Sequence, residues 1–155
     1  MPRVYPERLY HKTPAWVSDA AIFHVRIRCL SGNRSPLIRP DNGTSLLNSV
    51  RDYAVRGMWS CYLFLLMPDH VHALLGFGRS RGMSEVIRNW KRAQARCLGI
   101  QWQDNYFDHR IRDGAVFTEK YAYLTRNPVV LGLCASPEDW PWRTEAFAPE
   151  ATPKF

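Results

Sequence analysis

The chain has no apolar run long enough to cross a bilayer: its longest, Cys61–Met67, falls well short of the ~20 residues a spanning helix needs. It has no Cys-x-x-Cys pair. The four cysteines, Cys29, Cys61, Cys97 and Cys134, are widely spaced, which argues against a zinc finger or ribbon. Three of them fall in segments that read as regular core structure, so a secreted disulfide framework is not expected either. Reduced, mostly buried thiols are expected instead. The N-terminal stretch MPRVYPERLYHKTPAW lacks an apolar h-region. No signal peptide is expected, and with the reduced thiols this predicts a cytoplasmic protein with no membrane association. Gly-rich phosphate loops, Gly-x-Ser-x-Gly and a Walker-type lysine are all missing, so nucleotide-triphosphate chemistry has no support. No internal repeat or low-complexity tract is visible.

What is present is an ordinary globular composition with a basic excess. The 155 residues suffice for one domain with its own core. Hydrophobic residues make up 46% and charged residues 23%, which excludes a wholly disordered chain. Lys and Arg total 21 against 14 Asp and Glu, a formal charge of +7 that points to a polyanionic partner, most often nucleic acid.

Residues 1–19 are rich in Pro, Arg and Tyr and read as an irregular arm, residues 20–143 as a single domain, and residues 144–155 as a frayed tail. Ala21–Cys29 alternates: Phe23, Val25, Ile27 and Cys29 on one side, His24, Arg26 and Arg28 on the other, a strand with a basic outer face. Ser31–Gly43 reads as a loop, and Thr44 can cap a helix running to about Val55. Met58–Met67 is almost unbroken apolar sequence and predicts a central strand buried on both faces. Pro68-Asp69 turns the chain into a hairpin partner over His70–Phe77. Ser84–Leu98 predicts a helix with Val86, Trp90, Ala93 and Cys97 on one stripe, Tyr106–Ile111 a short strand, and Val116–Arg126 a third helix stopped near Asn127-Pro128. Trp140 and Trp142 are expected to pack back onto the body. The order predicts an α+β protein of ferredoxin-like split βαβ type, an antiparallel sheet with helices on one face, plus an extra C-terminal helix. The other sheet face would stay open for a ligand.

Three constellations could carry chemistry. His70-Val71-His72 lies on a strand, where residues i and i+2 share a face at roughly 6–7 Å. The pair reads either as two histidines of an ordinary strand or as two imidazoles able to hold one metal ion. On the third helix, Phe117, Tyr121 and Leu124 form the apolar stripe, while Tyr123 aligns with Glu119 and Asn127. That face is either an exposed Tyr and a helix-ending Asn, or a phenol followed a turn later by an amide oxygen. Arg88, Arg92 and Arg96 recur every turn of the second helix with Lys91 beside them, and Arg110 and Arg112 alternate with Asp108. These cations read either as solvated faces or as phosphate contacts. His109, on the Phe107/Ile111 side, reads as structural.

Four segments together resemble the HUH-type single-tyrosine transposases, and most closely the REP-associated tyrosine transposase group. They are MPDHVHALL (Met67–Leu75), YFDHRIR (Tyr106–Arg112), YLTRNPVVLGL (Tyr123–Leu133) and PEDWPW (Pro137–Trp142). The resemblance implies that His70 and His72 are the paired metal-binding histidines, Asn127 the third ligand, and Tyr123 the nucleophile on the extra helix. It implies Mg²⁺ or Mn²⁺ as cofactor and single-stranded or hairpin DNA as partner, acting as monomer or homodimer. Imidazole ligands favour Mn²⁺ over Mg²⁺. The implied reaction is metal-dependent nicking and rejoining through a 5′-phosphotyrosine. Two other readings use the same scaffold: a catalytically silent or domesticated single-strand DNA-binding protein, and an RNA-binding module. The latter would need stacking aromatics where the sequence places His70, His72 and Leu74.

Overall fold

The alternating segment near the N-terminus forms strand β1 (Ile22–Arg28) in the computed structural model, which describes residues 21–30, 35–78 and 81–145. The irregular arm expected at residues 1–19 lies outside the described residues. Helix α1 (Pro40–Val55), β2 (Ser60–Leu66), β3 (His70–Gly76), α2 (Met83–Leu98), β4 (Phe107–Ile111), α3 (Gly114–Val130) and β5 (Arg143–Glu145) follow. The strands make one five-stranded sheet in the order β4-β1-β3-β2-β5, antiparallel at each pairing. Its first four strands with α1 and α2 are the expected ferredoxin-like α+β arrangement; β5 is an added edge. No helix among the described residues is long and apolar enough to cross a membrane.

Strand alternation assigns the two faces. Val71, Ala73 and Leu75 of β3 pack with Val25, Ile27 and Phe64 beneath α1 and α2. Trp90 is fully buried there, its ring 5.3 Å from Phe64 and 5.6 Å from Trp102, and its indole N–H donates to Ser49 Oγ at 2.9 Å. Each such large side chain contributes about 1.5–3 kcal/mol by burial. Cys97 is exposed, off the buried stripe of α2, which is completed by Lys91 and Gln94.

The opposite face is not wholly open. Its apolar end, Ile22, Leu63, Leu74 and Ile111, is covered by Leu124 of α3, with Phe117 and Tyr121 at the margin. Among the described residues, the end bearing His70, His72, Arg26 and Arg28 remains as a cleft overhung by Tyr123, Asn127 and Leu131 of α3, while Leu65 and Met67 beside it are covered by Trp140.

Helix α3 runs through Pro128 instead of stopping before it. Proline removes one backbone donor, but the last turn is closed by other bonds. Leu131 N–H donates to Asn127 O at 3.0 Å, and Gly132, at φ 73°, and Leu133 donate to Val129 and Pro128 at 2.9 and 2.8 Å. That is a Schellman close, which needs the left-handed residue glycine provides. Asn127 therefore stays helical, one turn beyond Tyr123. At the other end Asp113 accepts from Val116 N–H at 2.8 Å.

Helix α1 starts at Pro40, four residues before the expected cap at Thr44, because proline fits the first helical position. This places Gly43 inside the helix, under the Trp142 ring. Leu66 N–H donates to Trp142 O at 2.8 Å, and the Trp140 indole donates to Leu66 O at 2.9 Å, so both tryptophans are tied to β2. Thr144 and Glu145, assigned to the frayed tail from sequence, instead pair with Phe64 and Leu63. A Gly43→Ala substitution sets two effects against each other. Helix propensity favours alanine by about 0.5–1 kcal/mol. An added Cβ would meet the Trp142 ring at 2.5 Å, however. Overpacking of that kind costs about 1–3 kcal/mol, so chemical denaturation should show net destabilisation. A more stable variant would mean that Trp142 is not held against α1.

Candidate active site

Adjacent strands bring the two polar patterns of the sequence onto one surface. In the β1–β3 register Arg28 faces His70, Arg26 faces His72 and His24 faces Leu74. On the other side of β1, Arg26 faces Phe107 and His24 faces His109. Helix α3 crosses above with Lys120, Tyr123, Asn127 and Leu131. These side chains enclose a cleft of about 410 Å³ whose lining contains no carboxylate. Arg26, Arg28 and Lys120 give it a positive field suited to a phosphate.

The two imidazoles of β3 are held through their Nδ1 atoms. His70 Nδ1–H donates to the Asp69 carboxylate at 2.7 Å, so that in the neutral ring Nε2 is the bare nitrogen. His72 Nδ1 lies 3.0 Å from His24 Nε2. The His70 and His72 ring centroids are 4.8 Å apart. His72 is pushed down to about 3 by burial, then by its neighbours His70, His24, Arg26 and Arg28. His24 is pushed down to about 4 by burial, then by Lys120, Arg26 and His109. Both are neutral at pH 7, the state in which an imidazole can ligate.

Among the described residues no three His, Cys, Asp or Glu side chains converge as a metal cage. The donors available are two imidazole nitrogens and the Asn127 amide. That neutral, incomplete set fits a divalent cation shared with a substrate phosphate better than a permanently caged ion.

The two tyrosines of α3 separate as the helical wheel requires. Tyr121 is half-buried against the sheet, and its phenol is pushed up to about 12 by burial, then by the neighbouring Glu145 carboxylate. Tyr123 is 66% exposed and lines the cleft, with Lys120 Nζ 5.8 Å from its ring centroid. Glu119, expected beside Tyr123, is exposed outside the cleft lining; Lys120 takes that place.

His70, His72, Tyr123 and Asn127 are thus brought together. The six cations expected to meet phosphate are not in the cleft lining. Arg88, Arg92 and Arg96 are exposed on α2, which packs on the opposite sheet face. Arg110 pairs with Phe23 on that same helix-bearing face, and Arg112 is exposed beyond β4. Lys91 is a correction: it is buried, and its ammonium donates to the carbonyls of Gln103 at 2.6 Å and Asp104 at 3.3 Å. Lysine's long stem lets it pack among apolar neighbours while its head caps a loop, so a helix-surface pattern alone misplaces it. The cations that do line the cleft, Arg26, Arg28 and Lys120, were missed as site residues, as were His24, His109 and Phe107. The basic outer face of β1 was visible, and the ferredoxin-like order puts β1 beside β3, so the signal was there. Phe107 is 42% exposed with the Arg26 guanidinium 5.1 Å from its ring centroid.

Comparison with known proteins extends this picture. The family model described as "Transposase IS200 like" matches residues 21–131. The fold is similar to that of the REP-associated tyrosine transposase solved bound to a REP hairpin. The TM-score is 0.71 at 16% identity, over 93% of this chain and 94% of that one. A structure from Deinococcus radiodurans that carries a transposase designation aligns at TM-score 0.50 and 19% identity, over 73% of this chain and 94% of that one. An uncharacterized protein of Haemophilus influenzae is 23% identical over 43% of this chain, and the match spans 53% of that relative's length.

Proposed function

The chain belongs to the IS200-like transposase family, and on that premise we propose that it nicks and rejoins single-stranded DNA beside a hairpin through Tyr123. One observation carries the reading: a phenol from α3 shares a carboxylate-free, cationic cleft with the two imidazoles of β3. The hairpin part rests on the ligand of the structural neighbour, whose fold this chain has.

The residues divide the work. Arg26, Arg28 and Lys120 hold the DNA phosphates, and Lys120 places one beside the phenol. The Tyr123 phenol gives up its proton to solvent as its oxygen attacks the scissile phosphorus, the bond to the 3′ oxygen breaks, and that oxygen takes a proton from solvent and leaves as a 3′-hydroxyl. The product is a 5′-phosphotyrosine ester. Attack by a 3′-hydroxyl on the same phosphorus reverses the step, so rejoining needs no nucleotide triphosphate. His70 Nε2, His72 Nε2 and the Asn127 amide oxygen would hold Mn²⁺ or Mg²⁺, which when bound supplies charge neutralisation at the scissile phosphate. The open side of the sheet faces the ligand, and α3 sets how closely the phenol approaches.

Incubation with labelled hairpin oligonucleotides carrying single-stranded flanks, with Mn²⁺ or with chelator, tests the reading on a denaturing gel. A metal-dependent, detergent-resistant adduct is expected. Tight binding without an adduct on any substrate would favour a silent single-strand DNA-binding protein instead. Binding should weaken steeply with salt. Replacing Arg26 and Arg28 together by Gln should reduce the slope of log affinity against log salt by about 1.4, at ~0.7 per phosphate contact on single strands. The same change at Arg88 and Arg92, tested in parallel, should have the smaller effect; a larger one would move the DNA path to α2.

A further inference from the structure

We propose that His24 is a positioning residue for His72: in the metal-free protein it accepts the hydrogen on His72 Nδ1, and so keeps Nε2 bare toward the cleft. The inference rests on the reading of His72 as a metal ligand given above.

The two nitrogens are 3.0 Å apart, so one ring donates to the other. In a neutral imidazole one nitrogen carries the hydrogen and the other a lone pair. If His72 Nδ1–H donates to His24 Nε2, His72 Nε2 is a lone pair ready for a cation. If His24 donates instead, His72 Nε2 carries a hydrogen and cannot ligate. His70 needs no such help, because the Asp69 carboxylate at 2.7 Å can only accept.

His72 is 8% exposed, and without an acceptor its Nδ1–H would be a buried, unpaired donor. The hydrogen would then move to Nε2, where the cleft can solvate it, and the ligand position would be blocked. His24 supplies that acceptor and cannot easily turn away. It is itself 7% exposed, and its ring stacks on His72 at 5.2 Å and meets Phe107 edge-on at 5.8 Å. Its other nitrogen, Nδ1, is buried with no hydrogen-bond partner among the described residues. In this arrangement His24 Nδ1 carries the hydrogen, a buried donor without an acceptor, and the cations lining the cleft, Arg26, Arg28 and Lys120, offset that cost by favouring a lone pair over a hydrogen on His72 Nε2. Metal ligands with an outer partner of this kind lose roughly 10- to 100-fold in affinity when the partner is removed.

The test compares the wild type with His24→Leu, which removes the acceptor, and His24→Gln, whose amide oxygen can restore it. Ring nitrogens are read by long-range proton–nitrogen NMR without metal, and Mn²⁺ binding by electron paramagnetic resonance without DNA. The expected result is Nδ1–H at His72 in the wild type, Nε2–H in His24→Leu with Mn²⁺ affinity about 10- to 100-fold lower, and recovery in His24→Gln. Nε2–H in the wild type, unchanged Mn²⁺ affinity in His24→Leu, or a Gln variant as weak as the Leu variant would each overturn the proposal. A wild type with Nδ1–H at His72 that binds no Mn²⁺ would instead overturn the metal reading and take the proposal's purpose with it. If His24→Leu does not fold, the wild-type tautomer and the Gln variant still decide.

Discussion

Replacing Tyr123 with Phe is expected to abolish covalent attachment to DNA, whereas replacing Tyr121 with Phe is expected to leave it. The two residues are two positions apart on one helix, about 200° around its axis, so they cannot serve the same surface. Tyr123 lines the cleft with His70 and His72, and the substitution removes only the attacking oxygen. Binding should persist because Arg26, Arg28 and Lys120 are untouched. Tyr121 faces the sheet with Phe117 and Leu124, and its phenol, held up at about 12, is the poorer candidate for ionisation. Losing the hydroxyl while keeping the packed ring should cost at most about 1 kcal/mol of stability, with adduct formation retained. Adduct gels on both variants under identical Mn²⁺ check this. Loss in Tyr121→Phe with survival in Tyr123→Phe would exchange the roles of the two helix faces, and adducts in both would remove the tyrosines of α3 from the chemistry.

The second large effect is expected at the β3 histidines. His70→Ala and His72→Ala should each reduce cleavage to background while most DNA binding remains, since the cationic side chains stay in place. Their stabilities should differ. An open sheet face would make both changes cheap, but the His70 side chain is only 12% exposed; its partner Asp69, at 35%, can turn to water when that ring is removed. His72 is buried and hydrogen-bonded to His24, so its removal strands His24 Nε2 and should cost about 1–3 kcal/mol. Denaturation curves beside cleavage assays separate the two. A His70→Ala protein that unfolds, or one that cleaves normally, would make that histidine structural rather than catalytic.

Strand alternation makes the two faces of the sheet legible in the amino-acid order. Phe23, Val25 and Ile27 do go under the helices, and His70 and His72 do face away from Val71 and Leu75. The period-2 pattern carries that information directly, because a slip of one residue would bury Arg26 and Arg28. The helix ends are less legible. Pro40 and Pro128 look like breakers in isolation. One sits at the first helical position, and the other precedes a turn that Gly132 closes, so tertiary and terminal bonds override the local preference. Charge is the least legible feature. A row of arginines at helical spacing is easily seen, as on α2, whereas the cleft cations come from two elements far apart in sequence, two from β1 and one from α3. Only the strand order shows that these meet. Lys91 shows the reverse error, since its role depends on two carbonyls of a distant loop.

The most direct measurement is the identity of the residue bonded to DNA. The protein is incubated with a cleavable oligonucleotide and Mn²⁺, the adduct is digested with protease and nuclease, and the modified peptide is sequenced by mass spectrometry. The expected result is a nucleotide 5′-phosphate on Tyr123 and not on Tyr121, which lies in the same Lys/Arg-bounded peptide, residues 121–126. A phosphoryl group on any other side chain, or a cleaved strand that ends in a free 5′-phosphate without passing through an adduct, would contradict a tyrosine nucleophile on α3.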